Sequence, residues 1–208
     1  MNVLAIGGHF DDIELGCSGA LAKHRSRGDS VHILVVTNSA YTNHDGTLMR
    51  SEAQAFSEGA ESARILDCDL TCLGYETKHV NFDWKLIEDL NKVIDDLKID
   101  TVYTHWDMDV HQDHSAIGKS SLAAARKVFN ILMYQSNLYQ NTHPFQANFY
   151  VDISAFIEVK RNSILAHKTE VKKFGMGWVD FWIQEAMNNG KKFGVSYAEA
   201  FQLVKYLM

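Results

Sequence analysis

Two short stretches of the chain concentrate side chains that can hold a cation or move a proton. The first is Gly7-Gly8-His9-Phe10-Asp11-Asp12-Ile13-Glu14. The second is His105-Trp106-Asp107-Met108-Asp109-Val110-His111-Gln112-Asp113-His114. Histidines and aspartates on short loops supply nitrogen and oxygen ligands, and two histidines with one carboxylate leave positions open on zinc for water and substrate. The same trio suits non-haem Fe(II). Zinc fits hydrolysis better, being a redox-inert Lewis acid. Spacing alone leaves the ligands open, because His105 and Asp109 compete with the other groups of the second stretch. Either stretch on its own reads equally as a solvated loop with helix-capping aspartates. A dinucleotide-binding reading fails: Gly7, Gly8, Gly16 and Gly19 do not make the Gly-x-Gly-x-x-Gly spacing. Asp11 and Asp12 would also repel a pyrophosphate.

The surrounding elements explain why stretches so far apart in the chain should meet. Residues 3–6 and 31–36 are apolar, β-branched runs that read as buried strands. Residues 69–73 form a weaker third strand, 101–104 a fourth and 131–134 a fifth. Between them, residues 14–27, 48–66, 86–97 and 115–128 have helical composition. Strict alternation implies right-handed βαβ units and a parallel sheet. The two polar stretches then follow the first and fourth strands. In the common doubly wound order these strands are neighbours where the strand order reverses, and ligands bind outside their carboxyl ends. The expected fold class is α/β: a Rossmann-like, mostly parallel sheet flanked by helices over residues 1–135. Residues 136–208 read as a mixed C-terminal extension of the same domain that completes the pocket. They carry a strand at 148–153 and helices at 155–167, 179–188 and 197–207.

Composition narrows the function classes. The formal net charge of −6, with no dense basic patch, argues against nucleic acid and anionic membranes as partners. Cys17, Cys68 and Cys72 are odd in number and form no Cys-x-x-Cys pair, so neither a disulfide framework nor a zinc knuckle is expected. No apolar run is long enough to span a bilayer, and the first residues lack the pattern of a signal peptide. The expectation is a cytoplasmic protein with a water-accessible small-molecule substrate.

At the two polar stretches the chain resembles the LmbE/PIG-L family of zinc-dependent de-N-acetylases. The family's first motif, His-Pro-Asp-Asp followed by Glu and paired small residues, is similar to His9-Phe10-Asp11-Asp12 with Glu14 and Gly16-Cys17-Ser18-Gly19. Its second, His-Pro-Asp-His, is similar to His111-Gln112-Asp113-His114. The likeness runs through the alternating N-terminal region, including Arg50, and thins after Tyr134, where His167-Lys168-Thr169 only faintly matches a family His-x-Ser. Phe10 and Gln112 replace the motif prolines, so both loops lose a fixed φ angle. Phe10 could also reshape the pocket mouth.

The resemblance implies that His9, Asp12 and His114 are the metal ligands, with zinc the expected cation and Fe(II) or another divalent ion the alternative. It implies Asp11 as general base, acting on water acidified by the cation. His111, kept charged by Asp113, would stabilise the oxyanion, and Arg50 would bind substrate. The function so implied is hydrolysis of an acetamido group on a sugar or sugar conjugate, releasing acetate and a free amine. Alternatives are hydrolysis of another small amide, such as a thiol conjugate, or metal or sugar binding without turnover. Relatives in the family often form homo-oligomers, which sets the same expectation here. Weaker candidates are His105, Asp107 and Asp109 as partners orienting a ligand, Glu14 near the metal loop, and His79 and Asn81 on the rim. Cys17 reads as a small buried residue. Trp178, Phe181 and Trp182 read as core or interface before sugar platforms.

Overall fold

The computed structural model describes residues 1–139 and 141–207. In chain order the elements are β1 (Asn2–Gly7), α1 (Asp12–Gly16), α2 (Ser18–Ser26), β2 (Ser30–Thr37), β3 (Tyr41–Thr42), β4 (Leu48–Arg50), α3 (Glu52–Leu66), β5 (Asp69–Tyr75), α4 (Trp84–Asp96), β6 (Thr101–His105), α5 (Gln112–Ala124), β7 (Asn130–Tyr134), β8 (Phe149–Asp152), α6 (Ile157–Leu165), α7 (Lys168–Phe174), α8 (Met176–Lys191) and β9 (Ala198–Lys205). Seven strands form one sheet in the order β5-β2-β1-β6-β7-β9-β8. The first five are parallel, and β9 pairs antiparallel with both β7 and β8.

The continuous apolar runs are explained by burial on both faces. In β1, Val3 and Ala5 join one core layer with α2 and α3, while Leu4 and Ile6 join the other with α4 and α5. In β2, Ile33 and Val35 point with the first set and Leu34 and Val36 with the second. A period of two thus serves two cores at once. Local chemistry sets the helix starts. Ser51 and Gln54 form a reciprocal capping box at the start of α3, and the Asp83 carboxylate accepts from Leu86 N–H at the start of α4.

The α/β class, the parallel order and the β1–β6 neighbourhood stand as expected. Five elements differ, one being α7 (Lys168–Phe174), a helix not expected from the sequence. The helix expected over 14–27 is broken at Cys17, buried at φ −147°, into α1 and α2. Leu48–Arg50 is not helical but pairs as a short strand with Tyr41–Thr42. The helix expected from 155 begins as a 3-10 turn at Ser154–Phe156. The largest change is at 197–207, expected helical and observed as β9. Ala198, Glu199 and Phe201 are buried there in a slot between two strands, and ladder bonds on both sides outweigh its helix-compatible composition.

Candidate metal centre and active site

The β1–α1 and β6–α5 loops do converge, because β1 and β6 are hydrogen-bonded neighbours. The first loop is tied down residue by residue. Gly8 C=O accepts from Thr37 N–H at 3.0 Å and from its hydroxyl at 2.8 Å, and Gly8 N–H donates to His105 Nε2 at 2.8 Å. Phe10 N–H donates to Ser39 Oγ at 2.9 Å, a bond the motif proline could not make, and Phe10 C=O accepts from Arg50 at 2.9 Å. The Phe10 side chain is buried, with its ring seated on Gly59, where a Cβ would lie 2.1 Å from the ring. It belongs to the core and does not shape the pocket mouth. These ties hold Asp11 at φ 139°, a conformation that costs energy in any residue but glycine and persists only where the surroundings enforce it.

Three residues meet as a triangle in which each pair makes one close contact, Asp12 using a different oxygen toward each histidine. His9 Nδ1 lies 3.2 Å from Asp12 Oδ2, His114 Nε2 lies 3.2 Å from Asp12 Oδ1, and the two nitrogens are 3.2 Å apart. Ligands about 2.0–2.1 Å from a tetrahedral zinc are separated by about 3.3–3.4 Å, so the spacing of the two nitrogens, and of each nitrogen from one Asp12 oxygen, suits that ion. The lone pairs fit as well. His9 Nε2 faces Asp113 Oδ2 at 3.0 Å and His114 Nδ1 faces Asp109 Oδ2 at 3.2 Å. Each ring has one nitrogen tied to a carboxylate and the other turned to the common point, the usual arrangement behind a metal-ligating histidine. Two other close sets exist among the described residues, His9/His111/His114 and Asp12/His105/His114. His105 has given its Nε2 lone pair to Gly8 N–H, and it stacks on His114 with ring centroids 4.0 Å apart. It therefore serves better as a support than as a ligand.

Electrostatics follow from this crowding. Burial opposes charge on His9, but hydrogen bonds donated to Asp113 and Asp12 outweigh it and push the ring up to about 10. Burial likewise opposes charge on His114, yet Asp12 and Asp109 raise it to about 9. Asp12, against burial, is held well below the carboxylate range by His114 and His105. Asp11 is pushed the other way, up to about 7, by desolvation and by the charges of Asp12 and Glu170. Burial and the charges of His114 and His9 lower His111 to about 4.

Asp113 does not support His111 as expected. Its carboxylate faces His9 and accepts from Lys78 N–H at 2.7 Å and Val80 N–H at 3.1 Å, and it is its backbone N–H that donates to His111 Nδ1 at 3.2 Å. As the second residue of α5, its side chain is carried across to the loop after β5, away from His111. Of the candidate orienting residues, Asp109 acts and Asp107 does not: Asp109 reaches His114 and is clamped by the Asn137 amide at 2.5 and 2.6 Å. Arg50 is 2% exposed, not a surface residue. Its guanidinium serves Phe10 C=O and Glu58, and lies 3.3 Å from His167 Nδ1 and 3.6 Å from Glu170. Glu14 is buried against Ser62 and His167. Cys17 is buried as expected, and His79 is exposed.

A cavity of about 510 Å³ opens on the cluster. Asp11, Asp12, His111 and His114 form one side, and the C-terminal extension closes the other with Glu170, Lys173, Phe174, Trp178 and Trp182. Trp178 and Trp182 thus line the cavity while also packing with Leu15, Ile164 and Val179, so the expected core role and a place on the cavity wall coincide. Ser136, whose hydroxyl donates to Asp12 Oδ1 at 2.9 Å, was missed. It sits just past β7, so the strand-end argument applied to β6 would have found it.

These features define a doubly wound α/β protein with a histidine–aspartate centre at the switch point of its sheet. Residues 4–125 match the model of the PIG-L family, described as GlcNAc-PI de-N-acetylase, and the chain belongs to this deacetylase family. A relative in Escherichia coli (strain K12), described as the uncharacterized deacetylase YaiS, is 35% identical over 147 residues, covering 64% of this chain and 73% of that protein. Among solved structures, the N,N′-diacetylchitobiose deacetylase of Pyrococcus horikoshii, in complex with its inhibitor MPG, superposes with a TM-score of 0.83 at 22% identity, over 98% of this chain and 83% of that one. The 4-carboxy-2-hydroxymuconate hydratase GalB of Pseudomonas putida KT2440 superposes with a TM-score of 0.80 at 15% identity, over 100% and 97% of the two chains. A fold shared by a deacetylase and a hydratase does not select the reaction; the side chains at the site must. No helix among the described residues is long and apolar enough to cross a membrane.

Proposed function

We propose that the chain is a metal-dependent amide hydrolase that removes the acetyl group from an N-acetylated sugar or sugar conjugate. The observation that carries this reading is the 3.2 Å triangle of His9, Asp12 and His114 with Asp11 beside it on the cavity wall. His9, Asp12 and His114 would hold the cation, zinc before Fe(II). Once bound, a divalent ion polarises an amide carbonyl and acidifies water.

The chain's own groups supply the rest. Asp11, poised at about 7, takes a proton from the attacking water as its oxygen bonds to the carbonyl carbon. When the C–N bond breaks, Asp11 returns that proton to the leaving amine. His111 accepts from Asp113 N–H through Nδ1, which leaves its Nε2 as the proton-bearing nitrogen of the neutral ring. It acts on the oxyanion as a neutral N–H donor and needs no charge from Asp113. Asp113 and Asp109 are positioning residues for His9 and His114. Arg50 acts from the cavity wall, holding the Phe10 carbonyl and lowering the cost of charge on Asp11. The family match and the sugar substrate of the Pyrococcus protein support an acetamido sugar here.

The test is acetate and free-amine release by zinc-loaded protein from a panel of N-acetylated sugars and one N-acetylated thiol conjugate. Turnover confined to the sugars, and lost in Asp11→Ala, is the expected outcome. Turnover of the thiol conjugate alone transfers the reading to another amide, and no turnover with metal bound leaves a binding protein.

A further inference from the structure

We propose that the segment after β7 forms a third wall of the metal centre, with Ser136 and Asn137 as positioning residues that set how tightly the cation is held. This rests on the metal-centre reading and adds two residues to it. Ser136 is 5% exposed and Asn137 is half-buried. Ser136 acts on the ligand Asp12, and Asn137 acts on Asp109, the carboxylate behind the ligand His114.

The placement follows from the sheet. β7 pairs with β6, so its carboxyl end delivers the chain to the rim that carries both ligand loops. Tyr134, the last residue of the strand, fixes that delivery. Its hydroxyl donates to Ile6 C=O in β1 at 2.8 Å, and its C=O accepts from Trp106 N–H, just past β6, at 2.9 Å. Its ring fills the space over Gly16, where a Cβ would lie 2.1 Å from the ring. Further along, the Asn141 amide donates to Met108 C=O in the second loop. The residues between are held against both loops at once.

Each contact removes a specific freedom. His9 N–H donates to Asp12 Oδ2 at 2.7 Å, which pins one oxygen from within the first loop. The Ser136 hydroxyl donates to the other, Oδ1, at 2.9 Å. The carboxylate cannot turn about its Cβ–Cγ bond without losing a charge-assisted hydrogen bond. Asn137 is oriented by its own amide oxygen, which accepts from Tyr139 N–H at 3.0 Å and turns the NH2 group to Asp109. Donation to both Asp109 oxygens favours the ionised carboxylate. That carboxylate in turn keeps a proton on His114 Nδ1 and leaves the Nε2 lone pair for the cation. One short segment so preorganises a ligand from each loop. Asn137 also lines an adjoining cavity of about 690 Å³, so shortening its side chain opens onto that cavity and leaves no void in a packed core.

The experiment titrates zinc into the wild type, Ser136→Ala, Ser136→Thr, Asn137→Ala and Asn137→Asp against a competing chelator, with the unfolding midpoint of each metal-free protein measured alongside. Ser136→Ala and Asn137→Ala should each weaken zinc binding by about 10–100-fold, with metal-free midpoints close to that of the wild type. Ser136→Thr keeps the hydroxyl and should restore most of the affinity. Asn137→Asp keeps the shape but sets a carboxylate against Asp109, and should weaken zinc more than Asn137→Ala does. Wild-type affinity in either alanine variant, or a loss in Ser136→Thr equal to that in Ser136→Ala, overturns the proposal while leaving the metal-centre reading in place. A loss found only in variants whose metal-free midpoint also drops sharply is an effect on folding and overturns it as well. A wild type that holds no zinc removes the metal-centre reading and this proposal with it.

Discussion

Two buried charged clusters sit a few residues apart in this fold, and they are built on opposite terms. Lys160, 1% exposed, spends its three N–H donors on Glu14 C=O at 2.9 Å, Leu15 C=O at 2.7 Å and Glu199 at 2.7 Å. Glu199 in turn accepts from Gly19 N–H at 2.9 Å and Ala20 N–H at 2.7 Å. The cation closes the carboxyl end of α1 and the anion closes the amino end of α2, each where the helix dipole favours it. Around His9, Asp12 and His114 the groups crowd instead: His9 and His114 are raised, His111 lowered, and Asp11 sits strained with its carboxyl pushed to about 7. A satisfied buried pair is architecture, whereas perturbed groups facing a cavity are poised for chemistry.

Substitutions can break or sharpen that contrast. The largest effect is expected for His114→Ala, which removes a donor of the triangle: metal content by elemental analysis and acetate release should both fall to background. Asp11→Ala should lower turnover by about 10²–10⁴-fold while keeping the metal, the range for loss of a general base. In the other cluster, Lys160→Ala strands a buried carboxylate and should cost about 3–5 kcal/mol in denaturant unfolding, with the metal centre intact in the folded fraction. Asp113→Asn, which perturbs the bonds to His9 and to the Lys78 and Val80 N–H groups without touching a donor to the cation, should weaken metal affinity or activity by about 10–100-fold.

The smallest effects are in pH and stability. Because His9 and His114 are raised to about 10 and about 9, both carry protons at pH 7 that a cation must displace. Zinc binding should therefore release protons and tighten as pH rises, measurable by calorimetry in buffers of different ionisation enthalpy. Asp11 has its folded pKa raised to about 7, above its unfolded value, so its ionisation penalises the fold fully above about pH 7, and the penalty fades as pH falls from there to the unfolded carboxylate range. Asp11→Asn should accordingly raise Tm at pH 8 by about 2–4 °C and leave little difference near pH 4. In the active protein, kcat/KM should climb with pH as Asp11 deprotonates.

What was legible in the sequence was what local pattern encodes. The β-branched runs of β1 and β2 and the polar stretches after β1 and β6 read directly, and the reversal of strand order brought them together. What was not legible depends on distant partners. β9 is a strand because β7 and β8 flank it, and Phe10 is core because Gly59 leaves room for its ring. Asp113 turned to His9 because Lys78 and Val80 offer it two N–H groups from another loop. Trp178 and Trp182 face cavities through the placement of α8, which no spacing within the helix reveals.

The central claim is that adjacent aspartates divide the work, with Asp12 holding the cation and Asp11 left free of it. Zinc titration of wild-type, Asp11→Asn and Asp12→Asn proteins against a competing chelator tests this directly. The account predicts one tightly held zinc in the wild type and in Asp11→Asn, and a collapse of affinity in Asp12→Asn. Wild-type affinity in Asp12→Asn, or loss of the metal in Asp11→Asn, would contradict it.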